Sequence, residues 1–276
     1  MPVRKRFGQH FLRDRNVIRR ITDAIAPAPN DRVVEIGPGR GALTWDLLQR
    51  AHSLEVIEID RDLAQSLQLD ARAAQGLKVH VHDALDTDFE RLRGDGAALR
   101  IVGNLPYNIS TPLLFRLLSQ RSAIADMHFM LQKEVVDRMT AQPGNKTYGR
   151  LTVMLAAVAE VEKLFDVGPG AFQPKPKVWS AVVRLRPTLQ PRFDIGADGV
   201  LRMLVTAAFS HRRKILSNGL KGFLTPAEIA DCGIDSQLRP EMLTPEQFGL
   251  LAAHHSRLYS KTHGRLQENL GIVGSD

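Results

Sequence analysis

The segment that decides the fold is residues 32–42, RVVEIGPGRGA. Its first five residues are mostly β-branched or apolar and predict a buried strand, and the stretch from Gly41 to Gln49 predicts the helix that follows. Glycine at 37, 39 and 41 lets the backbone turn sharply and lets a ligand lie against it without an intervening Cβ. A strand, a glycine-rich loop and a helix in this order therefore predict a ligand-binding turn.

The same alternation continues along the first two-thirds of the chain. Further strands are predicted at Leu54–Ile59, Lys78–Val81, Leu99–Gly103, Met127–Leu131 and Val178–Leu185. Because helical patterns separate the strands, we predict an α/β fold with a mostly parallel, twisted sheet. Beyond residue 187 a segment rich in proline and glycine leads into helical patterns only. We therefore predict two domains, 1–187 and 188–276, the second small and all-helical.

Composition narrows the class of protein. The chain has 276 residues, of which 43% are hydrophobic and 24% charged, as in ordinary soluble proteins. The longest uncharged apolar stretch, Leu151–Ala159, is too short to cross a bilayer, and the N-terminal residues do not resemble a secretory signal. Cys232 is the only cysteine, which excludes an intrachain disulfide. We expect a cytoplasmic monomer without a metal site.

The basic residues are concentrated in two segments. The net charge is +7, and residues 1–20 hold seven basic residues against one acidic residue. The first segment includes Arg4, Lys5 and Arg6, and the second includes the cluster Arg212, Arg213 and Lys214. Two such patches predict a polyanionic partner, although a solvated surface would have the same composition.

Acidic residues follow the next two predicted strands. Glu58 and Asp60 end the second strand, about 20 residues beyond the glycine loop, where a carboxylate commonly binds ribose hydroxyls. We assign Glu58 to that role and Asp60 to the N-cap of the following helix. Asp83, after the third strand, is placed to accept from an adenine amine. The glycine spacing alone fits either a dinucleotide or S-adenosylmethionine, and Pro38 disfavours a pyrophosphate because it removes a backbone N–H.

A second motif, Asn104-Leu105-Pro106-Tyr107, follows the predicted strand at 99–103. The Asn104 side chain offers a carbonyl acceptor, and Pro106 biases Leu105 away from helical backbone angles, so turn carbonyls can face a ligand. Tyr107 offers a ring for stacking, worth roughly 1–3 kcal/mol per base. Together these groups are suited to holding a planar base by its exocyclic amine.

The chain resembles the ribosomal RNA adenine N6-dimethyltransferases. The segments that carry the resemblance are 6–12 (RFGQHFL), 35–39 (EIGPG), 103–110 (GNLPYNIS), 132–135 (QKEV) and 172–178 (FQPKPKV). The resemblance implies a Rossmann-like class I methyltransferase domain that binds S-adenosylmethionine, with a helical C-terminal domain. It places the cofactor contacts at His10, Leu12, Gly37, Glu58, Asp83 and Asn104, and the family usually has asparagine at position 10.

The resemblance also implies a reaction: dimethylation of N6 on two adjacent adenosines in the loop of the 3′-terminal hairpin of 16S rRNA, during small-subunit biogenesis. The target base would be extruded into the site, where Asn104 and a carbonyl of the Leu105-Pro106 turn accept from its amine. Tyr107 would stack on one face of the base. Phe172 lies in a proline-rich segment, so we expect it to be exposed and to cover the other face.

Four other functions fit parts of the sequence. A dehydrogenase fits the glycine loop alone and would leave residues 104–107 without a role. A DNA amino-methyltransferase has a similar amide–proline–aromatic turn, but Leu105 and the segment that begins at Phe172 favour RNA. A large-subunit rRNA dimethyltransferase is a closer alternative, but the form of the motif at 104–107 and the C-terminal tail favour the small-subunit enzyme. A non-catalytic, RNA-binding ribosome assembly factor that keeps the fold is an alternative of a different class. Intact Glu58, Asp83 and Asn104 argue against a loss of catalysis, but an assembly factor could retain both activities.

Overall fold

The computed structural model describes residues 10–106, 109–210 and 213–269, with side chains up to residue 259. The strands are β1 (Phe11–Leu12), β2 (Arg32–Ile36), β3 (Leu54–Glu58), β4 (Leu77–Val81), β5 (Leu99–Asn104), β6 (Ile124–Gln132), β7 (Ala159–Val167), β8 (Phe172–Gln173) and β9 (Ser180–Pro187). The helices are α1 (Arg15–Ile25), α2 (Thr44–Ala51), α3 (Arg61–Gln68), α4 (Phe89–Arg93), α5 (Ser110–Ser119), α6 (Lys133–Met139), α7 (Arg150–Ala156), α8 (Val200–Ser210), α9 (Leu216–Gly219), α10 (Pro226–Asp231) and α11 (Pro245–Asn269).

Within those ranges, seven strands form the main sheet, in the order β4-β3-β2-β5-β6-β9-β7. The four pairings from β4 to β6 are parallel, and β6 pairs with β9 antiparallel. Val34, Val56 and Ile101 are fully buried, as expected for strands covered on both faces. The predicted α/β class and the mostly parallel sheet are confirmed. From β2 the chain adds β3 and β4 on one side, and it then returns to add β5 on the other side of β2. The direction in which strands are added therefore reverses between β2 and β5.

A smaller sheet of two strands was not predicted. Strands β1 and β8 are antiparallel, with Phe11 opposite Gln173 and Leu12 opposite Phe172. Each strand has two residues, which is too short to show the alternation that predicts a strand. Helix α1 follows β1 directly: Asp14 caps it by accepting from the backbone N–H groups of Asn16 and Val17. The sheet and the cap together fix the chain on either side of Leu12.

The chain forms two compact units. One extends to Asp137 and includes Glu160–Leu189, and the other combines Arg138–Ala159 with the chain from Gln190 onward. The second boundary lies two residues beyond the predicted end of the first domain. The predicted division differs from the structure in one respect, because residues 138–159 belong to the second unit.

The core of the second unit explains that difference. Tyr148 and Val153, from the segment 138–159, are buried in one cluster with Leu204 of α8 and Phe248 of α11. The backbone N–H of Arg192 also donates to Ala157 O at 2.9 Å. The hydrophobic periodicity of a sequence predicts that a helix is apolar on one face. It does not predict which distant helix packs against that face. Helical patterns were predicted throughout this part of the chain, but between residues 214 and 223 only α9 is helical.

None of the helices in the described part of the chain combines the length and the apolar character that crossing a membrane requires.

Candidate active site

The carboxyl ends of β2, β3, β4 and β5 surround one cleft, where the strand order reverses. Open parallel sheets bind ligands at such a position, because the loops on its two sides diverge. The predicted site residues that line the cleft are His10, Leu12, Gly37, Glu58, Asp83, Asn104, Leu105 and Pro106. The structure therefore brings together residues from separate segments of the chain.

The glycine-rich loop after β2 forms one wall of the cleft. Gly37 and Gly39 have φ of +68° and +57°, in the left-handed region that residues with a Cβ disfavour. The Gly37 N–H donates to Ile57 O at 2.9 Å, which holds the loop against the end of β3. The loop is thus a fixed turn whose backbone a ligand can approach.

Glu58, at the end of β3, is a buried carboxyl group under this loop. Its Oε2 accepts from the Gly39 N–H at 3.1 Å, and its Oε1 accepts from the Asp60 N–H at 2.9 Å. Burial raises the pKa of Glu58, against the lowering effect of the two hydrogen bonds. Asp60 caps α3 by accepting from the backbone N–H groups of Asp62 and Leu63, so the predicted cap is confirmed.

Glu35 is a second buried carboxyl group in the cleft wall, and sequence analysis gave it no role. The Thr44 hydroxyl donates to Glu35 Oε2 at 2.6 Å. Burial raises the pKa of Glu35 to about 7; the hydrogen bond from Thr44 opposes this shift and the nearby charge of Glu58 adds to it. The sequence did carry a signal, since an ionisable residue in an otherwise apolar strand marks a buried polar site.

Asp83 follows β4 at the edge of the cleft. Its Oδ1 accepts from the Leu85 N–H at 2.9 Å, and its backbone carbonyl accepts from the Thr87 hydroxyl at 3.1 Å. These bonds fix the carboxylate in a turn.

Ile59, whose side chain is 49% exposed, also lines the cleft and gives it an apolar surface next to Glu58 that sequence analysis missed.

Asn104 ends β5 next to the glycine loop: an ideal Cβ on Gly37 would lie 4.0 Å from Asn104 O. The Asn104 Nδ2 donates to His10 O at 3.1 Å, which orients the side-chain amide. Leu105 is buried and its N–H donates to Met130 O at 3.2 Å, so its carbonyl is the group it can offer to a ligand. Pro106 O accepts from the Ile109 N–H at 3.2 Å and closes the turn.

His10, the residue before β1, lines the cleft. Its ring Nδ1 lies 2.8 Å from Pro174 O, while its backbone carbonyl accepts from Asn104. His10 therefore links the cleft to the segment after β8, and its main chain positions the amide of Asn104.

Phe172 is buried, so the prediction of an exposed ring is wrong. It is 3% exposed, it pairs with Leu12 across the small sheet, and it packs in the same core cluster as Leu12 and Ile18. It is absent from the residues that line the cleft in the structure. The neighbouring prolines indicated a surface loop, but the ladder with β1 turns the ring inward. A ring covered in this way cannot stack on a base, and we withdraw that role.

Other predicted residues lie outside the cleft or outside the described residues. Tyr107 is not among the described residues, and neither are Arg4, Lys5, Arg6 and Arg212. Arg213 and Lys214 are exposed in the second unit. Among the side chains described up to residue 259, no three His, Cys, Asp or Glu groups lie close enough to hold a metal ion.

The cleft thus has two chemically different parts. We refer to Glu35, Glu58 and Asp83 as its carboxylate half and to Asn104–Pro106 as its amide half.

Strand order, glycine loop and cleft together define a Rossmann-like methyltransferase of class I. The family model for ribosomal RNA adenine dimethylase matches residues 2–253 of this chain. The chain belongs to that family, and it is a methyltransferase.

Individual relatives agree with the family. A protein named ribosomal RNA small subunit methyltransferase A from Nitrosococcus oceani is 54% identical over 249 residues, 89% of this chain and 93% of the relative. The protein of the same name from Pseudomonas syringae pv. syringae is 51% identical over 250 residues, 91% of this chain and 93% of the relative.

Solved structures show the same fold. The 23S rRNA methyltransferase ErmE has a TM-score of 0.71 at 28% identity and covers 88% of this chain and 98% of its own. A dimethyladenosine transferase from Plasmodium falciparum has a TM-score of 0.75 at 26% identity and covers 92% of this chain and 98% of its own. The predicted family, fold class and enzyme class are confirmed.

Proposed function

We propose that this protein transfers methyl groups from S-adenosylmethionine to N6 of adenosines in small-subunit ribosomal RNA. The proposed targets are two adjacent adenosines in the loop of the 3′-terminal hairpin of 16S rRNA, each dimethylated. The observation that carries the proposal is the position of Asn104: an uncharged amide lines the same cleft as Glu58 and Asp83. The names of relatives about half identical to this chain support the choice of the small subunit.

The residues of the carboxylate half fit S-adenosylmethionine. We assign Glu58, held by two backbone N–H donors, to the ribose hydroxyls. Asp83 would accept from the adenine amine, and Ile59 would pack against the adenine ring. Gly37, Leu12 and His10 would border the rest of the molecule. When bound, S-adenosylmethionine supplies an electrophilic methyl group on a sulfonium.

The amide half would hold the target base. The amine of adenine is a poor nucleophile because its lone pair is delocalised into the ring. Asn104 Oδ1 and Leu105 O would each accept one amine hydrogen, which favours a pyramidal nitrogen whose lone pair points at the methyl group. Alignment of this kind is worth roughly 7–11 kcal/mol. No strong base is needed, because the amine becomes acidic as it gains the methyl group, and its proton passes to water.

The base has to leave its stack to reach Asn104. Extrusion costs a few kcal/mol and costs least in an unpaired loop, which favours a hairpin loop over a duplex. Tyr107 is the residue we propose for stacking on the extruded base.

The basic segments would hold RNA phosphates. Arg213 and Lys214 are exposed, and we assign them to this role together with Arg4, Lys5, Arg6 and Arg212. Such contacts release counterions, so RNA affinity should fall steeply as salt rises. An RNA affinity that stays constant over a tenfold range of salt would contradict this assignment.

One experiment tests the proposed function. Purified protein and labelled S-adenosylmethionine are incubated with naked small-subunit rRNA, large-subunit rRNA, immature small subunits or duplex DNA, and modified bases are mapped. We expect N6-dimethyladenosine at two adjacent positions in the small-subunit 3′ hairpin. We propose separately that the enzyme acts as a monomer in the cytoplasm. Label confined to large-subunit rRNA would favour the ErmE-like alternative, and small-subunit binding without label would favour an assembly factor.

A further inference from the structure

Trp179 presents a large aromatic surface that neither the fold nor the cleft uses. Its side chain is 55% exposed, although tryptophan is among the residues that gain most from burial. One edge of the ring packs on the loop after β7, where Cη2 lies 3.7 Å from an ideal Cβ on Gly168. The ring is therefore supported on one side and open on the other.

The segment that carries Trp179 is fixed at both ends. Pro174 O is bonded to the ring of His10, a cleft residue, at 2.8 Å. The Trp179 carbonyl accepts from the Lys133 N–H at 2.9 Å, just before β9 begins. Five residues extend at most about 18 Å, so the backbone of Trp179 lies within that distance of Pro174. A single RNA strand can span this distance from the cleft.

Two lysines lie close to the ring along the chain. Lys175 and Lys177 are exposed, and no ion pair joins either of them to an acidic side chain among the described residues. Asp137 and Asp166, two acidic side chains near Lys133, are paired with Lys133 and Lys163, while Glu134 is exposed. Cations that flank an open aromatic ring match the phosphates and bases of a single strand.

We propose that Trp179 stacks on an unpaired base of the substrate RNA, outside the catalytic cleft, while Lys175 and Lys177 contact the neighbouring phosphates. The inference rests on the proposed RNA substrate and adds a second point of attachment to it. Its role is to position the strand, so that the extruded adenosine enters the cleft from a fixed direction.

Fluorescence can observe this contact directly, because the chain has only two tryptophans, Trp45 and Trp179. In a Trp45→Phe variant, Trp179 is the only indole. We expect its emission to be quenched by a hairpin RNA that carries the 3′-terminal loop of 16S rRNA, and to change little with a fully paired duplex of the same length. Emission that does not respond to the hairpin would overturn the proposal.

Affinity measurements separate stacking from charge. Trp179→Ala should weaken hairpin binding at least about fivefold, the lower end of a base–aromatic stack, with the same salt dependence. Lys175→Gln with Lys177→Gln should reduce the slope of log K against log salt by about 1.4, for two contacts to a single strand. Trp179→Phe should retain most of the affinity. Val178→Ala, which removes an exposed apolar neighbour, is the matched control.

The outcomes distinguish this inference from the proposed function. In the methylation assay, Trp179→Ala should raise KM for the RNA by the factor seen in binding. If the wild-type protein methylates no RNA, the proposed function fails, but quenching still decides the role of Trp179. Equal hairpin affinity of Trp179→Ala and wild type would overturn the inference. So would a loss of affinity seen only with intact subunits, because it would indicate a protein partner.

Discussion

In the carboxylate half of the cleft, Glu35 and Glu58 are buried and their pKa values are raised, while Asp83 lies at the edge. The amide half instead presents an amide and backbone carbonyls, which carry no charge. The ligands proposed for the two halves differ in the same way. Cationic S-adenosylmethionine suits a wall of carboxylates, while a neutral amine needs acceptors that do not protonate it. The contrast matches the two ligands that we propose for this one cleft.

The two halves also differ in what fixes them. Glu58 is held by backbone N–H groups of the neighbouring loop and of its own turn. Asn104 is held by the carbonyl of His10, which lies just before β1 and 94 residues away in sequence. The amide half therefore depends on the docking of β1, and the carboxylate half does not.

The largest effect should come from the amide half. Asn104→Ala removes one acceptor for the reacting amine, and we expect kcat to fall about 100- to 1000-fold, as when an oriented donor or acceptor of a transition state is lost. The affinity for S-adenosylmethionine, measured by calorimetry, should change only modestly. Asn16→Ala, at an exposed asparagine of α1, is the control. Full turnover by Asn104→Ala in a labelled-methyl assay would refute the assignment.

The second-largest effect should come from the carboxylate half, and it should appear in the affinity for S-adenosylmethionine. Glu58→Gln removes the charge and sets an amide NH₂ against one of two backbone N–H donors. We expect affinity for S-adenosylmethionine to fall about 10- to 100-fold, which corresponds to one charge-assisted hydrogen bond of about 1.5–3 kcal/mol. Glu160→Gln, at an exposed glutamate, should bind like wild type. An unchanged affinity in Glu58→Gln would mean that the ribose is held elsewhere.

The raised pKa of Glu35 gives the carboxylate half a pH dependence that the amide half lacks. Between the ordinary value of 4.5 and about 7, the folded state binds more protons than the unfolded state. The free energy of unfolding should therefore fall as pH rises through this window, by an amount of order 2 kcal/mol. Glu35→Gln should remove this part of the slope in denaturant titrations at pH 5 and pH 8. Parallel pH profiles for the variant and wild type would contradict the assignment.

The smallest effect should come from Asp83, which lies at the edge of the cleft. Asp83→Asn keeps the shape of the side chain but offers an adenine amine a weaker, uncharged acceptor, so we expect affinity to fall about five- to tenfold. Asp86→Asn, three residues further in the same turn and exposed, is the control. Equal losses in both variants would indicate a general effect of charge rather than a contact with adenine.

Sequence alone predicts the position of Glu58 and Asp83 in the fold, because the structure around them is local. The apolar run before Gly37, the alternation around Glu58 and the cap at Asp60 each depend on residues a few positions away. The parallel sheet then brings these strand ends together without further information. Glu35 was missed because its partner, Thr44, lies on the next helix and not in the strand.

The amide half was predicted less completely because it depends on distant parts of the chain. Asn104 and its turn were identified, but its hydrogen bond to His10 requires a two-residue strand without periodicity. The same strand buries Phe172, whose proline neighbours indicated exposure. Residues 138–159 were placed in the wrong unit for a related reason: their core partners lie beyond residue 190.

Gly103, one residue before Asn104, lies where β5 packs against the end of β2. A Cβ at this position would lie 2.5 Å from Ile36 O, a contact that real Cβ atoms essentially never make. Strands β2 and β5 can therefore pack this closely at their ends only while position 103 has no side chain. Efforts to re-engineer this enzyme toward other methyl acceptors should vary the walls of the cleft and leave this glycine as the fixed spacer.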